Sequence, residues 1–553
     1  MKQFSVLCLL SLLMASVVDA QTSTTSTGRI DSLKDGWGEY YYYTGEIKNK
    51  LPNGLGVAHY SGDYVLWYAG YFLNGKFEGK GALVFKDGFF LSGNWKAGKL
   101  NGSGTNLTKD KDIYIGDFKD GSKHGQGAYV FNDNSILSGS FKSDRYDGRC
   151  VFINSAGDII SDNIYASDKK NGSGYQYEVK DKKLYKGVWK DGEWQNANEG
   201  SYNSFLLSNT FTGEKKDDYI LMGSVDKAND YLLTDSCFYY DLNNHKKYFG
   251  IYTAGFLTSG LTVRDDSTVF VGKLNKEGAQ GLCQFYKKGK YYDEGTYIDD
   301  FLSGSNCMSI DLEKKTLYYG EMRNKGEFSG KAWFVSKGGT LYNGTYVLGS
   351  FTGSGTKTTL DGLCVKGTWD DGDLKSLESL TDYKGQKLNI KPANMTDMIS
   401  LMSRLSENEL DALIGEDELD WTNDMAEYIY TSYLQLPNTE ETFIVEDNDY
   451  YLSAYSILKR TDNYEAAKTL YNTVCADIKK ANPIVEAGTA AVSMLGDIQS
   501  ADADDAATVS LFKPSKASKK YSDFSVAVRL SKDADDNYEV AVVFGSDASL
   551  FAD

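Results

Sequence analysis

Between residues 40 and 374 the chain alternates rings and glycines with polar turns. In the stretch YIGDFKDGSKHGQG, Tyr114, Gly116 and Phe118 stand at i, i+2 and i+4. In a strand these positions share one face. A glycine between two rings leaves room for rings from neighbouring strands. KDGSKHG then brings Asp-Gly and a further glycine, residue types that favour positive φ and reverse the chain. Gly125 and Gly127 open a return strand, GQGAYVF, and NDNS turns the chain again. In an earlier copy KDG at 86–88 fills that second turn. Each period therefore predicts strand, turn, strand, turn, and stacked periods predict an antiparallel meander.

The pattern recurs. It starts at Tyr43, Tyr68, Leu91, Tyr114 and Leu137, then at Tyr185, Tyr248, Phe270, Asp293, Tyr318, Tyr342 and Val365. Most steps are 22 to 25 residues. The steps of 48 and 63 hide degraded copies, one from Ile160 to Gly174 and one near Leu221, Gly223 and Val225. A fixed period of this size is the signature of a repeat array. Asp293 replaces the first aromatic of its copy, and a bend or break is expected where the copies are degraded.

YAGYFLNGKFEGKG (68–81) and LSGNWKAGKLNGSG (91–104) resemble MORN repeats (membrane occupation and recognition nexus), whose pattern is Tyr-x-Gly-x-Trp-x-x-Gly-x-x-x-Gly-x-Gly. The resemblance covers about 60% of the chain. The repeat-defining glycines are Gly70, Gly93, Gly116, Gly139, Gly187, Gly250, Gly272, Gly295, Gly320, Gly344 and Gly367. The aromatics expected on one binding face are Tyr68, Phe72, Trp95, Tyr114, Phe118, Phe141, Tyr185 and Trp189 in the first part. Tyr248, Tyr252, Tyr297, Tyr342, Tyr346 and Trp369 follow in the second. The resemblance implies a mainly β fold, an elongated single-layer antiparallel meander of hairpin repeats. Two strands per copy at about 4.8 Å each give roughly 10 Å per copy. Cys283 and Cys307, 24 residues apart, then fall in equivalent slots of adjacent copies. That is too far for a disulfide, which needs Cα atoms within about 7 Å.

The glycine grammar stops near Gly372. Beyond it SENE (406–409) forms a capping box before LDALIG. NYEAAKTLYNTVCADIKKAN carries Ala467, Leu470, Tyr471, Val474 and Ile478 on one helical face, with Cys475 beside it. TAAVSMLG, ATVSLFK, FSVAVRL and YEVAVVFG read as strands, the last two joined by the turn SKDADDN. A small separate α+β domain of unknown family is expected at 394–553, after a linker at 375–393.

The first residues, MKQFSVLCLLSLLMASVVDAQT, add export to this picture. One Lys precedes an apolar run from Phe4 to Met14, and Val18 and Ala20 suit a cut before Gln21. This predicts a secretory signal peptide at 1–20 and a flexible lead-in at 21–39. The array is expected over 40–374, with degraded copies at about 160–247. The mature protein is expected in the periplasm, at the cell surface or secreted, and a bacterial host is expected. No later run is long and apolar enough for a membrane span. The net charge of -18, with no long basic run, disfavours nucleic acid and anionic membranes as partners. A local basic patch would escape that argument.

Candidate chemistry is sparse. GYFLNGKF and GNWKAGKL read as G-x-x-x-x-G-K, but Phe77 and Leu100 stand where a phosphate-binding loop needs Ser or Thr, and the flanks are strands. There is no G-x-S-x-G elbow, no C-x-x-C and no kinase signature. His59, His124 and His245 fall in unrelated slots and read as loop residues, and the C-terminal domain has no histidine. Asp217/Asp218 and Asp371/Asp373 read as solvated turns. DADDN at 533–537 lacks the Gly and Glu of a calcium loop. No catalytic residue, cofactor or metal ligand is therefore assigned. The expected function is non-enzymatic binding or scaffolding, by protein interaction or self-association. Glycan or cell-envelope binding through exposed Tyr and Trp is the alternative. An enzyme confined to the C-terminal domain is the third reading. Exposure of Trp67, Trp95, Trp189 and Trp369 discriminates between the first two.

Overall fold

A computed structural model describes residues 26–545, apart from 182, 202–203, 207–210, 216–218, 227–231, 254–255, 265–266, 276–277, 324–326, 403–404, 406–409, 411–413, 420–427, 433–437, 447–451, 481–491, 500–507, 515–524 and 533–536. The expected leader and the SENE box lie outside the described residues.

The repeats build two antiparallel meanders. The first sheet has 15 strands in chain order, from Ser26–Lys34 to Glu193–Ser201. The second has 17, from Ser204–Leu206 to Asp373–Thr381. The division falls inside the expected region of degraded copies. Two boundaries move. Ser26–Lys34 pairs with Tyr40–Lys48, so part of the expected lead-in is an edge strand. Asp373–Thr381 pairs with Cys364–Asp370, so the array runs past Leu374 into the expected linker.

Register explains the grammar. The repeat glycines pair across the sheet with a second set on the return strands: Gly70 with Gly81, Gly93 with Gly104, Gly116 with Gly127, Gly344 with Gly355. At Tyr43, Tyr68 and Tyr114 the ring two residues before the first glycine lies over the return glycine. A Cβ at Gly127 would run into the ring of Tyr114, and one at Gly81 into Tyr68. The Tyr hydroxyl also donates to the carbonyl three residues on, Tyr68 to Tyr71, Tyr114 to Asp117 and Tyr318 to Glu321. Register slips just after each first glycine, as between Gly116 and Phe118. The hydroxyl thus satisfies a carbonyl at a bulge, which accounts for Tyr rather than Phe at this position. Asp120 (φ 52°) and Gly121 (φ 89°) form the two-residue hairpin turn, with the type I′ conformation that fits strand twist.

Cys283 and Cys307 occupy the return-glycine slot. Both flank Gly295 in one row, two strands apart, Cys283 pairing with Gly295 and Cys307 with Gly320. Cys150 sits in the same slot opposite Gly139, and Cys237 opposite Gly250.

The chain forms the expected mainly β meander with a small separate domain, but the layer count differs. The two sheets lie face to face. The residue before each first glycine points to the opposite face from the rings. In the first sheet these positions and their partners form the row Val57, Ala69, Ala82, Ser92, Thr105, Ile115, Ala128. With Trp67, Val84, Phe90, Ile113 and Val130 they pack against Leu261, Val263, Tyr286, Met308, Ile310 and Trp333 of the second sheet in one buried cluster. Burying such an aliphatic side chain contributes about 1.5–3 kcal/mol, so an isolated layer exposing this face is disfavoured. The sheets run in opposite order. Arg29 near the start bonds Tyr383 near the end (2.7 Å), Thr105 meets Tyr292 midway (2.8 Å), and Lys247 reaches Ser155 near the turnaround (2.5 Å).

The C-terminal part forms a third sheet of eight antiparallel strands. The meander Ile414–Leu419, Tyr428–Ser432, Glu441–Glu446 and Leu452–Thr461 meets a second, Val492–Gln499, Thr508–Pro514, Ser525–Lys532 and Tyr538–Gly545. They join where Leu452–Thr461 pairs with Tyr538–Gly545. The last four strands coincide with the apolar runs of the sequence; those between 414 and 461 carry no comparable alternating signal. Two helices are described, α1 (Met395–Met402) and α2 (Tyr464–Lys480). Asn463 caps α2 by accepting from the Ala466 N–H at 3.0 Å. Ala467, Tyr471, Val474 and Ile478 are buried on one face, as the spacing predicts, with Cys475 buried beside them. Among the described residues no helix is long and apolar enough to cross a membrane.

Candidate binding groove between the sheets

The double layer is closed along one edge and open along the other. On the closed edge, lysines of the second sheet donate to turn carbonyls of the first. Lys247 reaches Ser155 and Asn134 (2.5 and 3.4 Å), Lys288 reaches Asn132 (3.0 Å) and Lys315 reaches Lys86 (3.0 Å). Lys247 is fully buried in this role. Charge-assisted bonds of this kind tie the layers along the side of the second turns.

On the side of the type I′ turns the layers part. A cavity of about 590 Å³ lies between them, lined by Gln126, Ser138, Ser140 and Arg149 of the first sheet and by Phe249, Ile251, Leu261 and Gln284 of the second. Of its lining, Ile251 is 52% exposed; on the same inner faces Ile164 stands opposite Arg149, and Leu282 (75% exposed) lies two residues from Gln284. Two ion pairs lie on these inner faces, and Arg149 of one of them lines the cavity. Lys80 bonds Glu294 across the layers. Arg149 bonds Asp162 through Nε and Nη2 (3.0 and 2.5 Å), and Tyr175 donates to the same carboxylate at 2.9 Å. The hydrogen bond to Asp162 pushes the Arg149 guanidinium above its usual range, so this cation stays charged at any working pH. Deeper in, the Tyr292 hydroxyl joins Thr105, Gln284 and Glu294.

The aromatics expected to form a binding face are elsewhere. Tyr68, Phe72, Trp95, Tyr114, Phe118, Phe141, Trp189, Tyr252, Tyr297, Tyr346 and Trp369 are all buried, while Tyr185, Tyr248 and Tyr342 are half-buried. The rings cover one another. Tyr68 stacks on Phe77 with centroids 3.6 Å apart, and Trp95 meets both edge-on. Trp95 donates to the Gly81 carbonyl at 2.9 Å and Trp369 to Gly355 at 3.2 Å. These rings serve as packing, with no stripe left for a ligand. Trp67, Trp95, Trp189 and Trp369 are 1%, 3%, 8% and 3% exposed, which takes support from glycan stacking on them. The groove lining escaped sequence reasoning, although the second apolar row at Val57, Ile113, Ile115, Val130, Ile136 and Ile153 was there to be read.

Two of the three histidines, His59 and His124, differ from expectation, while His245 is the loop residue the sequence predicts. His59 is a buried strand residue. It bonds Thr44 Oγ1 at 3.2 Å and stacks on Tyr42, and burial pushes its pKa down to about 3. His124 lies within the strand Ser122–Val130, and His245 is a turn residue with φ of 50°.

The MORN repeat family model matches residues 43–62, 68–89, 92–105 and 114–136. All four MORN repeats lie in the first sheet, and the copies of the second sheet share their register without matching the model. No curated protein matches the chain. Among solved structures, a crystal structure of Kluyvelomyces marxianus Hsv2 is similar at 8% identity over 44% of this chain and 92% of that one, with a TM-score of 0.13. A superposition that loose carries no argument about fold or function.

Proposed function

We propose that this is an exported, non-enzymatic scaffold that holds a protein partner in the groove between its two repeat sheets. MORN repeats suggest a repeat-based binding or scaffold role. The observation that carries the groove is its asymmetry: one edge is tied by three lysines, while toward the other a cavity opens with Ile251 exposed, lined by Ile115, Val151 and Leu261 around Gln126, Arg149 and Gln284. A largely apolar lining with a few fixed polar groups suits an extended polypeptide. Export rests on the apolar run from Phe4 to Met14 and the small residues Val18 and Ala20. N-terminal sequencing of the protein recovered outside the cytoplasm is expected to begin at Gln21.

The test is affinity capture from solubilised envelope of the source organism, comparing the mature chain with a double variant, Ile251→Asp with Leu282→Asp. A discrete protein held by the mature chain and lost from the variant supports the reading. Capture unchanged in the variant, or enrichment of polysaccharide instead of protein, overturns it.

A further inference from the structure

The outer, aromatic face of the second sheet has a gap that the first sheet lacks. Two neighbouring copies each omit a ring. In the copy starting at Phe270 the second aromatic is replaced by Leu274, and in the next copy Asp293 stands in the first aromatic position. Phe270, Phe285 and Asp293 lie close across the sheet, since Phe285 pairs with Asp293. Where the first sheet stacks ring on ring, a cavity of about 400 Å³ opens here. Phe270, Leu274, Phe285 and Tyr297 give it an apolar floor.

Its rim is charged. Lys246 and Arg264 both line the cavity and sit directly opposite each other on paired strands. Like charges placed so repel, and Asp300, which lines the same cavity, and Asp241 offset part of that repulsion at Lys246. Burial and the neighbouring Arg264 both hold the Lys246 amine below its usual range. Two carboxylates are near. Asp241, opposite Lys246 on the other side, accepts from the Asn243 and Asn244 N–H groups and from the Asn244 amide (3.0, 2.9 and 2.8 Å). Asp300, across the cavity, accepts from the Ala279 N–H at 2.7 Å. Both acids are thus engaged by backbone donors, Lys246 Nζ lies over the Tyr248 ring (4.9 Å), and Arg264 is exposed.

We propose that this cavity binds a small amphipathic organic anion, its carboxylate between Lys246 and Arg264 and its hydrocarbon or aromatic body on Phe270, Leu274, Phe285 and Tyr297. The volume lies in the range of small-molecule sites. The two cations supply charge-assisted hydrogen bonds to the head, and the missing rings supply space for the body. The site is independent of the groove between the sheets.

The experiment is calorimetric titration of the mature full chain with decanoate, using decan-1-ol as the neutral counterpart. Decanoate is expected to bind once per chain and decan-1-ol at least tenfold more weakly. Arg264→Gln and Lys246→Gln are each expected to weaken decanoate about tenfold or more, the loss expected for a bond to a charged group. Leu274→Trp, which returns a ring to the gap, is expected to abolish binding. Far-UV circular dichroism checks that each variant keeps its strands. Equal affinity for acid and alcohol, unchanged affinity in both charge variants, or no saturation up to about 1 mM, where binding is worth only ~4 kcal/mol, would overturn the proposal.

Discussion

The two repeat sheets obey one register and solve it differently. In the first sheet Tyr43, Tyr68 and Tyr114 each cover a return glycine, and the rings close into a continuous layer with Phe72, Phe77, Trp95, Phe118 and Phe141. In the second sheet the return slot holds Cys283 and Cys307, and Phe270 and Asp293 stand in the tyrosine position. A side chain in the slot and a tyrosine above it compete for one volume. Ala332, opposite Gly320 in the copy that starts at Tyr318, is the compromise, where the slot holds a single methyl. The regular half is thus fixed by its glycines, and the irregular half acquires a cavity.

The sharpest way to break this contrast is a side chain in the slot. Gly127→Val is expected to cost about 3 kcal/mol or more, because overpacking against Tyr114 has no relief. Cys307→Ala, the same slot in the second sheet, is expected to cost only about 1 kcal/mol from a small void. Urea denaturation of the two variants measures the difference, and equal losses would refute the distinction. Next comes the closed edge: Lys247→Ala is expected to lose about 2 kcal/mol, since carbonyls of the first sheet lose a charged donor.

Titration separates the halves by sign. Burial lowers His59 in the first sheet from 6.5 to about 3, with Arg29 adding to the effect. The unfolded chain then binds the extra proton, so this contribution is complete above pH 6.5 and lost as the pH falls toward 3. Burial raises Asp293 in the second sheet from 3.8 to about 6, opposed by a bond from Ser309. Here the folded chain holds the proton, so the contribution is complete below pH 3.8 and lost as pH rises through 6. Asp293→Asn is expected to raise stability at pH 7 by on the order of 1–3 kcal/mol, and His59→Gln to flatten the acid limb. Thermal unfolding across pH 3–8 reads both, and a stability unchanged by Asp293→Asn at pH 7 would count against a buried carboxylate. The smallest effect is Tyr114→Phe. It keeps the ring and loses only the bond to Asp117, for about 1 kcal/mol, whereas Phe270 in the second sheet already lacks that hydroxyl.

Much of the array was legible in the sequence, because its rules are local. Asp-Gly turns, alternating rings and the glycine period each act within one hairpin, so the strands and the Cys283–Cys307 spacing follow from short segments. The doubling did not follow, because it depends on the other row. Val57, Ile115 and Val130 alternate with the rings, so both faces are apolar, the mark of a strand buried on both sides. Reading only the conspicuous rings assigned the binding surface to residues that are interior. The strands between 414 and 461 were missed for a related reason: a segment such as ETFIVE (441–446) is too short and too mixed to declare its period.

Because the ribbon doubles back, partners across the layers are set by counting from the end of the first sheet at Ser201 and the start of the second at Ser204. A duplication of one 23-residue copy in either half would displace every later copy by one place against the opposite layer. Lys247, Lys288 and Lys315 would then meet the wrong turns. Gain or loss of copies in such a molecule is therefore constrained to matched events on both sides of the fold, as rungs are added to a ladder two rails at a time.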